Sequence, residues 1–274
     1  MPGFNNWLKL NLIPGDTANL TKQFECSFEL GTVKKLSIND AADYTADLIS
    51  KTYTNLHLSF SGGLDSMFVA NVLYRNKIPF KPIIFDWYWQ EPECWHAYDW
   101  CEKHQIEPIV YTITKDTEQE FLEKILKYAL QIKTPAKIGY LPAILTELIP
   151  NGKLITGYGE PFYNSESYYD TGSVGEIVVI GEHDYYLELI FDKFHPGGFL
   201  SYTPELFFSL VQNLPTGVNT QHAKAKIYGL EFRPKFNNIN VFPWGKYQTL
   251  RDKLVKPFDK TITKYIKSDL LKLI

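Results

Sequence analysis

Cysteine is scarce in this sequence: Cys26, Cys94 and Cys101 are the only three, and no two form a CxxC pair. An odd set without paired spacing indicates neither a disulfide framework nor a zinc site, so free core thiols are the plain reading. The six histidines show no ligand spacing either. Charge of one sign is also missing. A formal net charge of −3 offers no basic stripe of the kind that nucleic-acid binding uses. No N-terminal run has the charged, apolar and cleavage regions of a signal peptide, and no window approaches a membrane span. The expectation is a soluble, cytoplasmic protein with neither membrane nor nucleic acid as a partner. Two common glycine motifs are absent as well. No lysine follows the glycines as a GxxxxGK[ST] loop requires, and the nucleophile elbow GxSxG does not occur.

What is present is an ordinary core-forming composition, 45% hydrophobic over 274 residues. Short β-like runs, "WLKLNLI" and "FECSFELG", occupy the first 38 residues, with turn signals at Pro14-Gly15 and Gly31. A helix is predicted over Asn39–Tyr53, then strand "LHLSF", a glycine turn, helix "DSMFVANVLYRN" and strand "KPIIFD". This βαβ unit favours a parallel crossover. Helix "PECWHAYDWCEKHQ", strand "EPIVYTI", the periodic helix "DTEQEFLEKILKYALQIK", a helix near Pro142 and strand "KLITGYG" continue the alternation. The fold class is therefore α/β, a doubly wound and mainly parallel sheet. A small β-rich appendage (1–38) precedes the main domain (39–274). Past Pro161 the pattern weakens: "NSESYYDTGSVGE" reads as a polar loop and "FHPGGFLSY" as a turn. From "GKYQTLRDKL" onward the chain reads as helical and lysine-rich.

The glycine turn is the most informative stretch. A turn from a parallel strand into a helix leaves several backbone N–H groups pointing outward, and with the helix dipole they make an anion site. Gly62 and Gly63 let backbone approach an oxyanion without an intervening Cβ. Ser61 and Ser66 add hydroxyls, and Asp65 is the expected ligand of a magnesium ion between phosphates.

"SFSGGLDSM" resembles the SGGxDS loop of the N-type ATP pyrophosphatases, the PP-loop superfamily. In that family the loop grips the β,γ-phosphates while the α-phosphate is attacked, giving an adenylated substrate and pyrophosphate. The resemblance implies ATP and Mg2+ as cofactors, with Ser61, Gly62, Gly63, Leu64, Asp65 and Ser66 on the nucleotide. Adenine would be met by backbone at Ser59, Phe85, Thr156 and Gly157. Within the superfamily the chain resembles the synthetase domain of asparagine synthetases over roughly residues 40–274. Glu93 and Ala97 match a Glu and an Ala four apart in the helix after the second strand. "LITGYGEPF" stands where the family has "LSGEGxDE". "YGLEFRPKF" is similar to "SLEVRVPFLD", and "KYQTLR" to a late K-x-x-L-R helix. Thiouridine synthetases and sulfonucleotide reductases fit less well, because they use cysteines that are missing here.

Two departures shape the expected activity. The chain begins Met-Pro-Gly and has no glutaminase domain, so glutamine is not the expected nitrogen source within this polypeptide. The second loop reads GYGEP, with Pro161 in place of an Asp and Tyr158 in place of a Glu; Glu160 is the candidate replacement carboxylate. "TGYG" is similar to β-lactam and carbapenam synthetases, in which this tyrosine helps to deprotonate an amine. A phenol with a pKa of about 10 needs help for that, from a carboxylate or a lysine. The candidates are Glu182 or Glu188, and Lys264 or Lys267. The expected function is an ATP-dependent ligase that adenylates a small carboxylate and forms an amide with ammonia or an amine, releasing AMP and pyrophosphate. Adenylation of a nucleoside or tRNA base, and nucleotide binding without turnover, are the alternatives. The aromatic surplus permits a homodimer interface.

Overall fold

The computed structural model describes residues 7–13, 23–87, 91–132, 140–163, 177–180, 196–213, 220–231 and 263–274. Two strands, β1 (Leu8–Ile13) and β2 (Gln23–Phe28), form an antiparallel hairpin. Helix α1 (Ile38–Thr52) follows, beginning one residue before the expected Asn39 and ending one residue before Tyr53. Ser37 is its extended N-cap: the hydroxyl oxygen accepts the Asp40 N–H at 3.2 Å, while Asp40 supplies the acidic first turn.

The main sheet contains β3 (Leu56–Ser59), β4 (Phe80–Trp87), β5 (Ile109–Ile113), β6 (Lys153–Thr156) and β9 (Gly197–Gly198). All of its pairings are parallel, in the order β5-β4-β3-β6-β9. Helices α2 (Leu64–Arg75), α3 (Glu91–His104), α4 (Glu118–Ile132) and α5 (Tyr140–Leu148) join the first four strands. The expected doubly wound α/β sheet is thus observed.

Neighbouring residues show why both faces are covered. Side chains alternate along a strand, so Ile84 and Ile155 join a core containing Ala46, Phe68, Val72 and Phe207. Ile83 and Leu154 instead pack on Leu145 of α5 and on Ile149 just after it. A strand buried on both faces must be apolar at successive positions, as "PIIF" is.

The order of the strands reverses direction at β3. From there the chain moves outward through β4 and β5, then returns to place β6 and β9 on the other side. The gap between the carboxyl ends of β3 and β6 is therefore a topological switch point, where open α/β sheets bind ligands.

The later chain departs from the sequence expectations in three places. "FHPGGFLSY" is not a free turn: Gly197–Gly198 pair with Ile155 and Thr156 as the fifth strand, and a buried 3-10 turn, Phe199–Ser201, follows. A helix, α6 (Pro204–Asn213), lies in the stretch that gave no clear pattern. Thr203 caps it by accepting the Leu206 N–H at 3.3 Å, and Pro204 takes the first helical position. The C-terminal stretch is not helical throughout. Thr263–Ile266 form β10, which pairs with β8 (Ile177–Ile180) beside β7 (Phe162–Tyr163) in a small antiparallel sheet. β-branched and aromatic residues in "TKYI" favour a strand over the helix that the lysines suggested. Helices α7 (Thr220–Tyr228) and α8 (Lys267–Leu271) complete the described elements. Among the described residues no helix is long and apolar enough to cross a membrane.

Candidate functional site

Ser59 ends β3, and Phe60 keeps the sheet register by donating its N–H to the Ile83 carbonyl at 2.8 Å. Ser61, Gly62 and Gly63 make the turn, in which Gly62 has φ +79°, and Leu64, Asp65 and Ser66 open α2. Gly63 is the N-cap residue and no side chain caps the helix, so the first-turn amides point past the end of β3. The serines hold the turn from within. Ser61 Oγ accepts the Gly63 N–H at 3.2 Å, Ser66 Oγ donates to the Gly63 carbonyl at 3.1 Å, and the two hydroxyls are 3.2 Å apart.

The second glycine turn, after β6, lies directly against this one. A Cβ on Gly157 would come within 2.8 Å of the Ser66 backbone nitrogen and 3.0 Å of the Asp65 carbonyl carbon. The glycine is what lets β6 end against the start of α2. Gly159 has φ +98°, and a Cβ there would meet Ser201 Oγ at 2.1 Å. Thr156 is buried at the end of β6, its hydroxyl donating to the Gly197 carbonyl at 3.2 Å. Phe85 packs its ring edge-on against Tyr111 and Phe121, so its side chain belongs to the α4 face.

Charge gathers where the two turns meet. Lys224, from α7, is fully buried with a side chain 1% exposed. Its Nζ lies 3.2 Å from Asp65 Oδ2 and 2.6 Å from Glu160 Oε2. Tyr228, one helical turn further on, donates its hydroxyl to Asp65 Oδ1 at 3.0 Å. The Tyr228 ring stacks on Phe68 of α2 with centroids 4.3 Å apart, which fixes α7 against α2. Glu160 Oε2 is buried directly against the Lys224 ammonium.

Each ionisation state has a physical cause. Burial, and then the Asp65 charge, hold the Glu160 carboxyl well above the usual range against the pull of Lys224. Burial works against the Lys224 charge, but Asp65 and Glu160 outweigh it and raise its pKa overall. Burial and the same two carboxyls push Tyr228 well up. Tyr158 packs against Ile83, Leu145, Ile149 and Leu154, and burial followed by the Glu160 charge raises its pKa. The tyrosine is thus held as a neutral phenol.

The structure brings Asp65 and Glu160 to one ammonium and leaves Tyr158 within electrostatic reach of Glu160, with its ring on the apolar cluster under α5. Lys264 lies in β10, paired in register with Val179. The Lys267 ammonium donates to the Gln212 carbonyl at 3.2 Å, and burial lowers its pKa. Glu182 and Glu188 lie outside the described residues. Sequence reasoning passed over Lys224 and Tyr228. Their i,i+4 spacing among Ala223, Ala225 and Ile227 puts a lysine on the apolar stripe of a helix, and that was the available signal.

The donor set does not suit a magnesium ion held between carboxylates. Hard oxygen ligands are present, but one Asp65 oxygen serves Tyr228 and the other faces Lys224, which also stands against Glu160. Among the described residues no group of three or more His, Cys, Asp or Glu could hold a metal.

No protein-family model matches the sequence. Nor does any curated protein. Among solved structures, the chain is similar to an NH3-dependent NAD synthetase from Campylobacter jejuni, at 17% identity over 45% of this chain and 58% of that one, with a TM-score of 0.33. The match therefore spans less than two thirds of that synthetase. An NMN synthetase from Francisella tularensis is similar at 13% identity over 81% of this chain and 97% of that one, TM-score 0.36. A protein of Methanocaldococcus jannaschii described as a "predicted subunit of tRNA methyltransferase" is similar at 14% identity over 68% and 95% respectively, TM-score 0.32.

Proposed function

We propose that this chain is an ATP-dependent ligase of the PP-loop kind, which adenylates a small carboxylate and passes the acyl group to ammonia or an amine. One observation carries the reading. The SGGLDS turn opens α2 at the switch point, and Gly157 seats the second turn directly on that helix terminus. Uncapped amides and a buried lysine there suit a polyphosphate.

In the first step a carboxylate oxygen of the substrate attacks the α-phosphorus and the α–β phosphoanhydride bond breaks, so that pyrophosphate leaves with the electron pair. In the second the amine nitrogen attacks the acyl carbon and displaces AMP, and the amine loses its proton. The first-turn amides of α2 and the Lys224 charge face the pyrophosphate as negative charge grows on it. Fixed charges of this kind lower a barrier because they need no rearrangement during the reaction. Tyr158, as a neutral phenol, is suited to donating a hydrogen bond to a developing anion or to the acyl-adenylate. That role differs from taking the proton of the amine.

The test is product analysis with a panel of carboxylates and amines. AMP and pyrophosphate should form in equal amounts, and Asp65→Asn should abolish both while the fold survives by circular dichroism. ADP and phosphate as products, or an unimpaired Asp65→Asn variant, would refute the assignment.

A second reading, nucleotide binding without turnover, draws on the buried Pro161 and on the engagement of both Asp65 oxygens. Tight ATP binding with no pyrophosphate released from any substrate would favour it.

A further inference from the structure

The unusual component of the site is a lysine with almost no exposed surface. Lysine is rarely buried completely unless it is paired, and here the pairing is with two carboxyl groups from the two glycine turns. A neighbour on its own helix fixes its position. Tyr228 stacks on Phe68, hydrogen-bonds the same Asp65, and lies one turn along the same helix as Lys224. The ammonium is therefore built into the packing of α7 on α2.

A divalent ion bridging Asp65 and Glu160 would need the space that Nζ occupies. Magnesium binds oxygens at about 2.0–2.1 Å in near-octahedral geometry, and Glu160 Oε2 lies 2.6 Å from Nζ. Ion and ammonium cannot both be there.

We propose that Lys224 is the resident counter-cation of this site, filling the position between Asp65 and Glu160 that a divalent ion would otherwise take. The chain then presents a lysine, and no carboxylate-held metal, to the anion received at the start of α2. Nucleotide binding at the loop consequently needs no metal held by Asp65. The lysine's placement stands on geometry alone; only its service to a nucleotide rests on the function proposed above.

The test uses Mn2+ as the probe, titrated without nucleotide and followed by electron paramagnetic resonance. The full chain, D65N, K224M and K224M/D65N are compared. Wild type should show no Mn2+ site that D65N weakens. K224M should acquire one at least tenfold tighter, and the double variant should lose it. A wild-type site weakened tenfold by D65N would overturn the proposal, as would a folded K224M that binds Mn2+ no better than wild type. Where K224M fails to fold, the comparison of wild type with D65N decides alone.

Calorimetry with ATP supplies the second arm. Affinity in EDTA within about threefold of that in magnesium supports the proposal, and an absolute requirement for magnesium opposes it. Absence of ATP binding in both conditions counts against the nucleotide function, and the Mn2+ arm then decides the lysine's role.

Discussion

At the scale of single residues, the meeting of the two turns depends on atoms that are not there. Gly157 and Gly159 are two positions apart, yet each leaves room for a different neighbour: the backbone of α2 for the first, Ser201 for the second. Their substitution should therefore fail in different ways. Gly157→Ala presses a methyl group on the Ser66 nitrogen, which belongs to a helix terminus and cannot rotate away. We expect the start of α2 to shift and ATP affinity to fall at least tenfold, read by calorimetry. Gly159→Ala combines a backbone conformation that costs about 1–3 kcal/mol for a non-glycine residue with the collision at Ser201. Each kcal/mol lowers Tm by about 2–4 °C in a domain of this size, so a loss of several degrees is expected in a thermal melt. Gly31→Ala, with nothing within 4 Å of the new methyl, should leave Tm unchanged and serves as the control.

At the scale of elements, the sequence made the first half of the sheet readable and left the second half obscure, for physical reasons. β3, α2 and β4 are local: apolar runs, a glycine turn and amphipathic spacing fall within about thirty residues, so near-neighbour patterns suffice. The fifth strand is two glycines with no side chains to show a period, and only its pairing with β6 makes it a strand. The Lys224 contact joins residues 159 positions apart in sequence, and no local pattern encodes such closure. Helix α6 did carry a legible start, Thr203-Pro204-Glu205, a capping residue followed by proline and an acid. The same threonine also ties two helices together. Its Oγ1 lies 2.6 Å from Thr45 Oγ1 in the middle of α1, and both residues are buried. Thr203→Ala should remove the cap, at about 1 kcal/mol, and leave the Thr45 hydroxyl with only its bond to the Ala41 carbonyl. A total loss of about 1–3 kcal/mol is expected, measured by urea denaturation. Thr203→Ser keeps both hydrogen bonds and should recover most of it.

At the scale of the whole molecule, the N-terminal hairpin is coupled to the site through one indole. Trp7, immediately before β1, is 7% exposed, and its ring packs on Phe28, Phe207 and Phe208. Its Nε1–H donates to the Ser201 carbonyl at 3.1 Å. Ser201 is the residue whose side chain stands against Gly159, in the turn that carries Glu160. The hairpin thus braces the back of the second glycine turn. Two substitutions separate packing from bracing. Trp7→Ala removes a large buried ring and should cost about 3–5 kcal/mol, read by denaturant unfolding. Trp7→Phe keeps most of the aromatic contact but leaves the Ser201 carbonyl without its indole donor, an expected loss of about 1–3 kcal/mol. If the brace reaches the site, Trp7→Phe should also weaken ATP binding severalfold at a temperature where the variant is fully folded. An unchanged ATP affinity in a destabilised Trp7→Phe protein would confine the hairpin's role to covering Phe207 and Phe208.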